Sequence, residues 1–358
     1  MATDNGLGIF FTGLPAPLAI EYAGRADAAG FRSAWFPEIT FADSFGPATG
    51  AALRTKRIGI GTGVVGVWSR SMVTMALQAA TLHQLADERL LLGLGVQARG
   101  YVEGWHGQTY RKPVTAMRDA VTILRRALAR ERFSYEGEVF SVRNFALDME
   151  APRVPAKIYV AANSPKMIQL AGELADGMLG YFHSVEYVRE VVIPNLREGA
   201  ERAGRSLDDI DATVAFPSVV TPDDSGIQLA RGQVLTYATA LDSTRGYLAS
   251  CRACGFGEVA LELGERARAG DIQGALAAIP DEMVDALTIS GSPENVRRRL
   301  DAYREAGLSG VMLNPASPGA WFPLYEGHFP ESALGQIPTF DFPAFLRVLD
   351  VTIERLAA

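Results

Sequence analysis

Cysteine is almost missing from this chain. Its 358 residues hold two, Cys251 and Cys254, in the stretch SCRACG. A disulfide framework is therefore excluded as the source of stability. A redox or metal role for this C-x-x-C needs an electropositive setting or a second ligand pair, and the sequence supplies neither. Both are read as ordinary thiols of a reducing cytoplasm. Histidine is nearly as scarce. His83, His106, His183 and His328 show no metal-ligand spacing and form no Cys/His cluster, so no metal site is expected. Long apolar runs are also lacking: none approaches the ~18–20 residues of a membrane span. The opening MATDNGLGIFF has no basic n-region or cleavage site, so no secretion signal is read. With 34 Lys and Arg against 41 Asp and Glu, the formal charge is -7, which argues against nonspecific nucleic-acid binding. No G-x-S-x-G elbow or P-loop supports a hydrolase or an NTPase.

What is present is a substantial core, at 48% hydrophobic residues, and a regular alternation. Strands are predicted at Leu7–Thr12, Ser33–Glu38, Ile58–Gly66, Leu90–Val96, Lys157–Ala162, Gly177–Phe182, Ala212–Val219 and Gly310–Asn314. Most are continuous apolar runs, as expected of strands covered on both faces. Helices with an apolar stripe are predicted at Pro17–Ala29, Met72–Ala86, Val114–Ala129, Pro165–Ala175, Val185–Ala203 and Pro293–Ala306. Several stop at glycine, as in ADAAGF and YREAGLSG. Eight βα units in a chain of this size favour a closed (β/α)8 TIM barrel over an open sheet. Two stretches exceed the simple repeat: 130–154, with the hairpin-like FSYEGEVFSV, and 221–289, which holds more than one helix. Both are read as insertions on one domain spanning 1–358, since no linker or low-complexity segment separates them.

The run Ile58–Ser71, IGIGTGVVGVWSRS, begins as a strand and fills with glycine. As a string, Gly61-x-Gly63-x-x-Gly66 matches the dinucleotide fingerprint. Its context does not. The third glycine should open a helix and an acid should end the next strand. Here VWSRS intervenes, Asp87 and Glu88 precede the next strand, and the motif sits on the third strand. Two readings remain: glycines at a tight barrel end or bulge, or backbone left bare for a ligand to press upon.

The stretch GIGTGVVGVWSRSMVTMALQAATLHQLADERLLLGLGV resembles the third-to-fourth-strand segment of the bacterial luciferase-like superfamily. DALTISGSPENVRRRLDAYREAGLSGVML is similar to that family's last helix and strand. KIYVAANSPKMIQLAGELADGML and GWHGQTYRKPVTAMRDAVTILRRAL also resemble family segments. The resemblance covers most of Leu7 to Pro315. It leans toward the branch that uses the deazaflavin coenzyme F420, the methylene-tetrahydromethanopterin reductase-like enzymes. It implies an oxidoreductase that passes hydride between the deazaflavin C5 and a small organic substrate, and a homodimer. It also implies a bulge on the third strand with a non-prolyl cis peptide at Gly63–Val64, where Gly63, Val64 and Gly66 back the ring.

In barrels of this type chemistry collects where strands end. Glu38 stands there in AWFPEIT, and the resemblance makes it a polar contact to the cofactor; otherwise it is a solvated rim carboxylate. Many relatives place histidine next to this acid, and this chain has Ile39. Gln97 and Arg99 follow strand four and are candidate cofactor contacts, Arg99 for a phosphate or carboxylate. A surface ion pair is the alternative. Asn163 and Ser164 open a helix before Pro165, a position suited to anions or to plain capping. The resemblance puts the cofactor phosphate there. His106 and His183 are candidate proton donors, His183 also a cofactor contact; each is otherwise a satisfied rim histidine. Phe11, Trp68, Trp105 and Trp321 are expected to line an apolar substrate pocket. Two rival functions remain open: an FMN-dependent two-component luciferase-like monooxygenase, and a non-catalytic deazaflavin- or flavin-binding barrel that has lost its proton donor at Ile39.

Overall fold

The computed structural model describes residues 6–40, 42–240, 245–320, 330 and 335–357. Trp321 and His328 lie outside the described residues. In chain order the strands are β1 (Leu7–Phe10), β2 (Ser33–Phe36), β3 (Gly59–Thr62), β4 (Val65–Gly66), β5 (Leu90–Gly95), β6 (Phe133–Glu136), β7 (Ser141–Phe145), β8 (Lys157–Ala161), β9 (Gly177–Tyr181), β10 (Asp211–Ser218) and β11 (Gly310–Pro315). The main sheet has the order β3-β2-β1-β11-β10-β9-β8-β5-β4, and β3 also bonds to β5. This order is cyclic with eight strand positions, β3 and β4 sharing one, which is the (β/α)8 arrangement. The predicted third strand is two short strands interrupted at Gly63 and Val64. Their joining peptide is cis, as the resemblance implied.

The chain divides into two compact units. The first comprises Met1–Leu179 and Asn195–Ala212. Its interior is filled by rings on the inward side of the strands. Trp35 stacks on Phe10 at 6.4 Å between centroids and meets Tyr159 edge-on at 5.3 Å. Its indole N–H donates to Ser33 Oγ at 2.8 Å. Rings of this size need bare backbone opposite them. A Cβ at Gly61 would collide with Trp35, one at Gly63 with Phe10, and one at Gly177 with Tyr159. The room made by Gly61 and Gly63 is therefore taken up by this chain's own aromatic side chains, so glycine density alone does not require a ligand.

Outside these strands lie helices Ala16–Ala28, Phe45–Arg54, Met72–Leu85, Pro113–Leu128 and Pro165–Leu174. Ser71 caps the third of them, accepting from the Thr74 amide at 3.1 Å. The stretch 130–154 contains the antiparallel hairpin β6–β7. It is tied down by the buried Asp119 carboxylate, which accepts from Tyr135 Oη at 2.8 Å and from the amides of Val139 at 2.8 Å and Phe140 at 3.1 Å.

The second unit comprises Gly180–Pro194 and Thr213–Ala357. Here β10 and β11 run parallel, with Thr213 opposite Gly310 and Pro217 opposite Asn314. The described residues of the stretch 221–289 form six helices: Ser225–Leu229, Arg231–Ala238, Arg245–Ala253, Gly257–Arg268, Ile272–Ala278 and Asp281–Leu287. Val234, Leu235, Leu263, Ile272, Met283 and Leu287 form its core. The helix predicted over Val185–Ala203 is interrupted by a π-helical turn, Val188–Val192. Pro194, two residues on, has no N–H to continue the α ladder. Cys251 and Cys254 are free thiols on and just after helix Arg245–Ala253. Burial pushes Cys254 up to about 11, which keeps it an inert thiol.

Candidate functional site

The short turn after β4 organises the first unit's strand ends. Glu38, two residues beyond β2, is mostly buried, not a solvated rim acid. Its Oε2 accepts from Arg70 Nη2 in an ion pair, and its Oε1 accepts from Ser69 Oγ at 2.9 Å and the Gly66 amide at 3.4 Å. Arg70 in turn stands over the Phe45 ring, 5.3 Å from its centroid. Gln97 closes the other side: a Cβ on Gly66 would strike its carboxamide, so Gly66 makes room for Gln97. Gln97 has φ 54, a left-handed conformation sparsely used by non-glycine residues and characteristic of constrained sites. Val64 lies against Gly95, where a Cβ would meet its Cγ2.

This cluster contains polar atoms with unmet hydrogen bonds. Trp68 Nε1, Arg70 Nη1 and Gln97 Oε1 are buried and have no partner among the described residues. Trp68 itself is buried, with Phe140 at 5.1 Å and Tyr110 at 6.2 Å. Buried polar groups are nearly always paired, by protein, water or ligand. Three such atoms on one turn and its neighbour mark a place built to receive something polar.

Other expected residues fall elsewhere. Arg99 is exposed and forms an ion pair with Glu103 at 2.8 Å, its guanidinium over the Tyr110 ring. That is the surface-pair alternative, worth ~0–1 kcal/mol. Trp105 is 51% exposed, stacked on Tyr101 at 3.9 Å, and so lines no closed pocket here. His106 follows it, half-buried, its amide donating to the Tyr101 carbonyl at 3.2 Å. Phe11 is buried against Phe36 at 5.6 Å. Ser164 is exposed at the start of helix Pro165–Leu174, and its side chain makes no capping hydrogen bond. Plain capping thus does not account for Ser164. His83, expected mid-helix, is buried in the last turn of helix Met72–Leu85, bonded to the Val154 carbonyl at 2.8 Å.

His183 requires correction. Instead of standing at the rim, it is fully buried in the second unit beside Tyr187, 4.9 Å between rings. Both ring nitrogens lack partners among the described residues. Burial holds its pKa down to about 3, so at pH 7 it is a neutral imidazole with one N–H, not an imidazolium acid. The preceding Phe182 has φ 60, which turns the chain as β9 ends. The group sequence reasoning missed here is Tyr181, the last residue of β9. Its hydroxyl accepts from Asn314 Nδ2 at 2.7 Å and donates to Tyr237 Oη at 2.9 Å. Asn314 Oδ1 is buried without a partner among the described residues. Burial raises the Tyr181 phenol above its ordinary range, keeping it protonated as a hydrogen-bond donor. Arg70 and Ser69 were likewise missed. A polar residue directly after a glycine-rich strand is the only local signal they give.

Among the described residues, no group of three or more His, Cys, Asp and Glu is placed to hold a metal ion. No described helix is long and apolar enough to cross a membrane.

Residues 12–310 match the model of the luciferase-like monooxygenase family. The chain is 30% identical over 305 residues to a 5,10-methylenetetrahydromethanopterin reductase of Archaeoglobus fulgidus, covering 83% of this chain and 89% of that one. It is 26% identical over 313 residues to the reductase of the same name from Methanolobus tindarius, covering 83% and 90%. Among solved structures, the coenzyme F420-dependent tetrahydromethanopterin reductase of Methanopyrus kandleri superposes with a TM-score of 0.78 at 21% identity, covering 98% of this chain and 97% of that one. The FMN-bound oxygenating constituent of 3,6-diketocamphane monooxygenase from Pseudomonas putida gives 0.63 at 18% identity, covering 100% and 98%. These two likenesses show the shared barrel fold. The chain belongs to the luciferase-like monooxygenase family, and it is an oxidoreductase of that family.

Proposed function

We propose that this protein is a coenzyme F420-dependent oxidoreductase that moves hydride to or from a small organic substrate. It is read as one barrel domain carrying the insertions 130–154 and 221–289, working as a homodimer in the cytoplasm, where its two free thiols belong. The observation that carries the reading is the turn after β4, where Glu38 fixes Arg70 and leaves Arg70 Nη1, Trp68 Nε1 and Gln97 Oε1 buried and unmet. The two reductases related in sequence and the reductase related in fold support the choice of cofactor.

When bound, the deazaflavin supplies hydride exchange at its ring C5. The chain's own residues then bind and orient. Glu38 holds the turn that meets the ring. Asn163 and Ser164, at the N-terminus of helix Pro165–Leu174, where the helix dipole favours negative charge, suit the cofactor phosphate. Phe11 and Trp68 provide apolar wall. Positioning of this kind supplies much of the rate in cofactor enzymes.

A second reading keeps the fold and substitutes FMN with oxygen chemistry, and the FMN-bound monooxygenase neighbour favours it. Anaerobic turnover separates the two. With the deazaflavin coenzyme and a panel of alcohols, ketones and imines, loss or gain of the coenzyme's visible absorption without oxygen is expected. Turnover only with reduced FMN and oxygen would replace the proposal by the monooxygenase. Binding without turnover under either condition would leave a non-catalytic barrel.

A further inference from the structure

We propose that Thr62 is a positioning residue: its hydroxyl stands in for the strand ladder opposite Gly93 and so holds Gly63 and Val64 out as a shelf for the flat ring of the cofactor. This rests on the deazaflavin reading above. Register shows where the ladder lapses. Gly61 pairs with Leu91 and Val65 with Leu94, so three residues, Thr62, Gly63 and Val64, stand opposite two, Leu92 and Gly93. That is a bulge of one extra residue. Toward β2 the ladder continues, since the Gly63 amide donates to the Phe36 carbonyl at 2.7 Å. The lapse therefore falls on the β5 side, where buried main-chain groups need another partner.

Thr62 supplies it. The side chain is fully buried. Its Oγ1 donates to the Gly93 carbonyl at 2.9 Å and accepts from the Gly93 amide at 2.8 Å. One hydroxyl thus meets both main-chain groups of one residue. The close approach needs glycine there, because a Cβ on Gly93 would collide with the Thr62 carbonyl. Exposure shows the consequence. From Ile60 to Gly66 only Gly63 and Val64 are half-buried, and the others are buried. Behind them the room is filled: a Cβ on Gly63 would strike Phe10, and Val64 lies in the space left by Gly95. Gly63 and Val64 bring no polar side chain to this surface, which suits the face of an aromatic ring. Without the Thr62 hydroxyl, the Gly93 amide and carbonyl are buried and unmet. The strand recovers them by closing its main chain onto β5, which draws the shelf inward. A ring that binds only the open form then binds more weakly, in proportion to the population lost.

The test separates the hydroxyl from the shape of the side chain. Wild type, Thr62→Val, Thr62→Ser and Thr352→Val are titrated with coenzyme F420 and, separately, with FMN, and the absorption maximum of the bound ring is recorded. Valine keeps the shape and removes the hydroxyl; serine keeps the hydroxyl. Thr352→Val makes the same change at a buried threonine of helix Phe342–Arg355, whose hydroxyl donates to the Val348 carbonyl at 2.7 Å. Thr62→Val should weaken deazaflavin binding by at least about tenfold and shift the bound ring's maximum, with Thr62→Ser within about twofold of wild type and Thr352→Val unchanged. If Thr62→Val does not fold, Thr62→Ala, which leaves room for water beside Gly93, carries the same expectation. Wild-type affinity without the hydroxyl, or equal weakening in Thr62→Ser or Thr352→Val, would overturn the positioning role and leave the cofactor assignment standing. Saturable binding of FMN alone would overturn the choice of cofactor, and the same variants titrated with FMN would still decide the role of Thr62. No saturable binding of either would overturn both.

Discussion

His183 sets part of this protein's pH dependence, and the Glu38–Arg70 pair part of its stability. His183 is buried and neutral, with its folded pKa held near about 3 by desolvation, against about 6.5 in an unfolded chain. Between these values the unfolded chain binds a proton that the native state refuses. The contribution is complete above about pH 6.5 and is lost as pH falls toward 3, by at most ~1.4 kcal/mol per pH unit. Urea titrations between pH 7 and 4 should therefore show a flatter decline for His183→Leu than for wild type. Identical slopes would contradict this account of the residue. The Glu38–Arg70 pair makes a second prediction. Removing either partner strands a mostly buried charge, so Glu38→Gln and Arg70→Met should each cost ~2–3 kcal/mol, and the double variant less than their sum. Additive losses in denaturant melts would mean that the two side chains act independently.

At the scale of elements, the hairpin β6–β7 is an accessory that reaches the site. Asp119 bonds Tyr135 and the Val139 and Phe140 amides, and Phe140 rests on Trp68. Asp119→Ala leaves two amides unmet and should lower stability by ~3 kcal/mol while red-shifting tryptophan emission as Trp68 gains solvent. Unchanged emission would detach the hairpin from the site. The hairpin was legible in FSYEGEVFSV because β-formers flank a glycine turn. The barrel strands were legible too, since runs such as Leu90–Val96 are apolar throughout. Helix Phe45–Arg54 was not, because Gly46, Pro47 and Gly50 read as breakers. Gly50 is there for packing: a Cβ would strike Ile20 of helix Ala16–Ala28. Tertiary contact overrides propensity at that point. The site was legible only in part. Glu38, Gly66 and Gln97 announced themselves at strand ends. Arg70 did not, since its partner lies 32 residues away and only strand register brings them together. His183 misled because it directly follows a strand, while the positive φ of Phe182 is invisible in sequence.

At the scale of the whole molecule, the claim is that a luciferase-like barrel is built around a deazaflavin. Tyr181→Phe keeps the ring and removes the buried hydroxyl that binds Asn314 and Tyr237, so denaturant melts should show a loss of about 1–2 kcal/mol. An unchanged melt would mean that this hydroxyl contributes no net stability. The most direct test of the central claim is equilibrium binding. Purified protein is titrated separately with coenzyme F420 and with FMN under identical buffer and salt. The account predicts saturable binding of the deazaflavin, tighter than that of FMN. Tight, saturable binding of FMN with no saturable binding of the deazaflavin would contradict it.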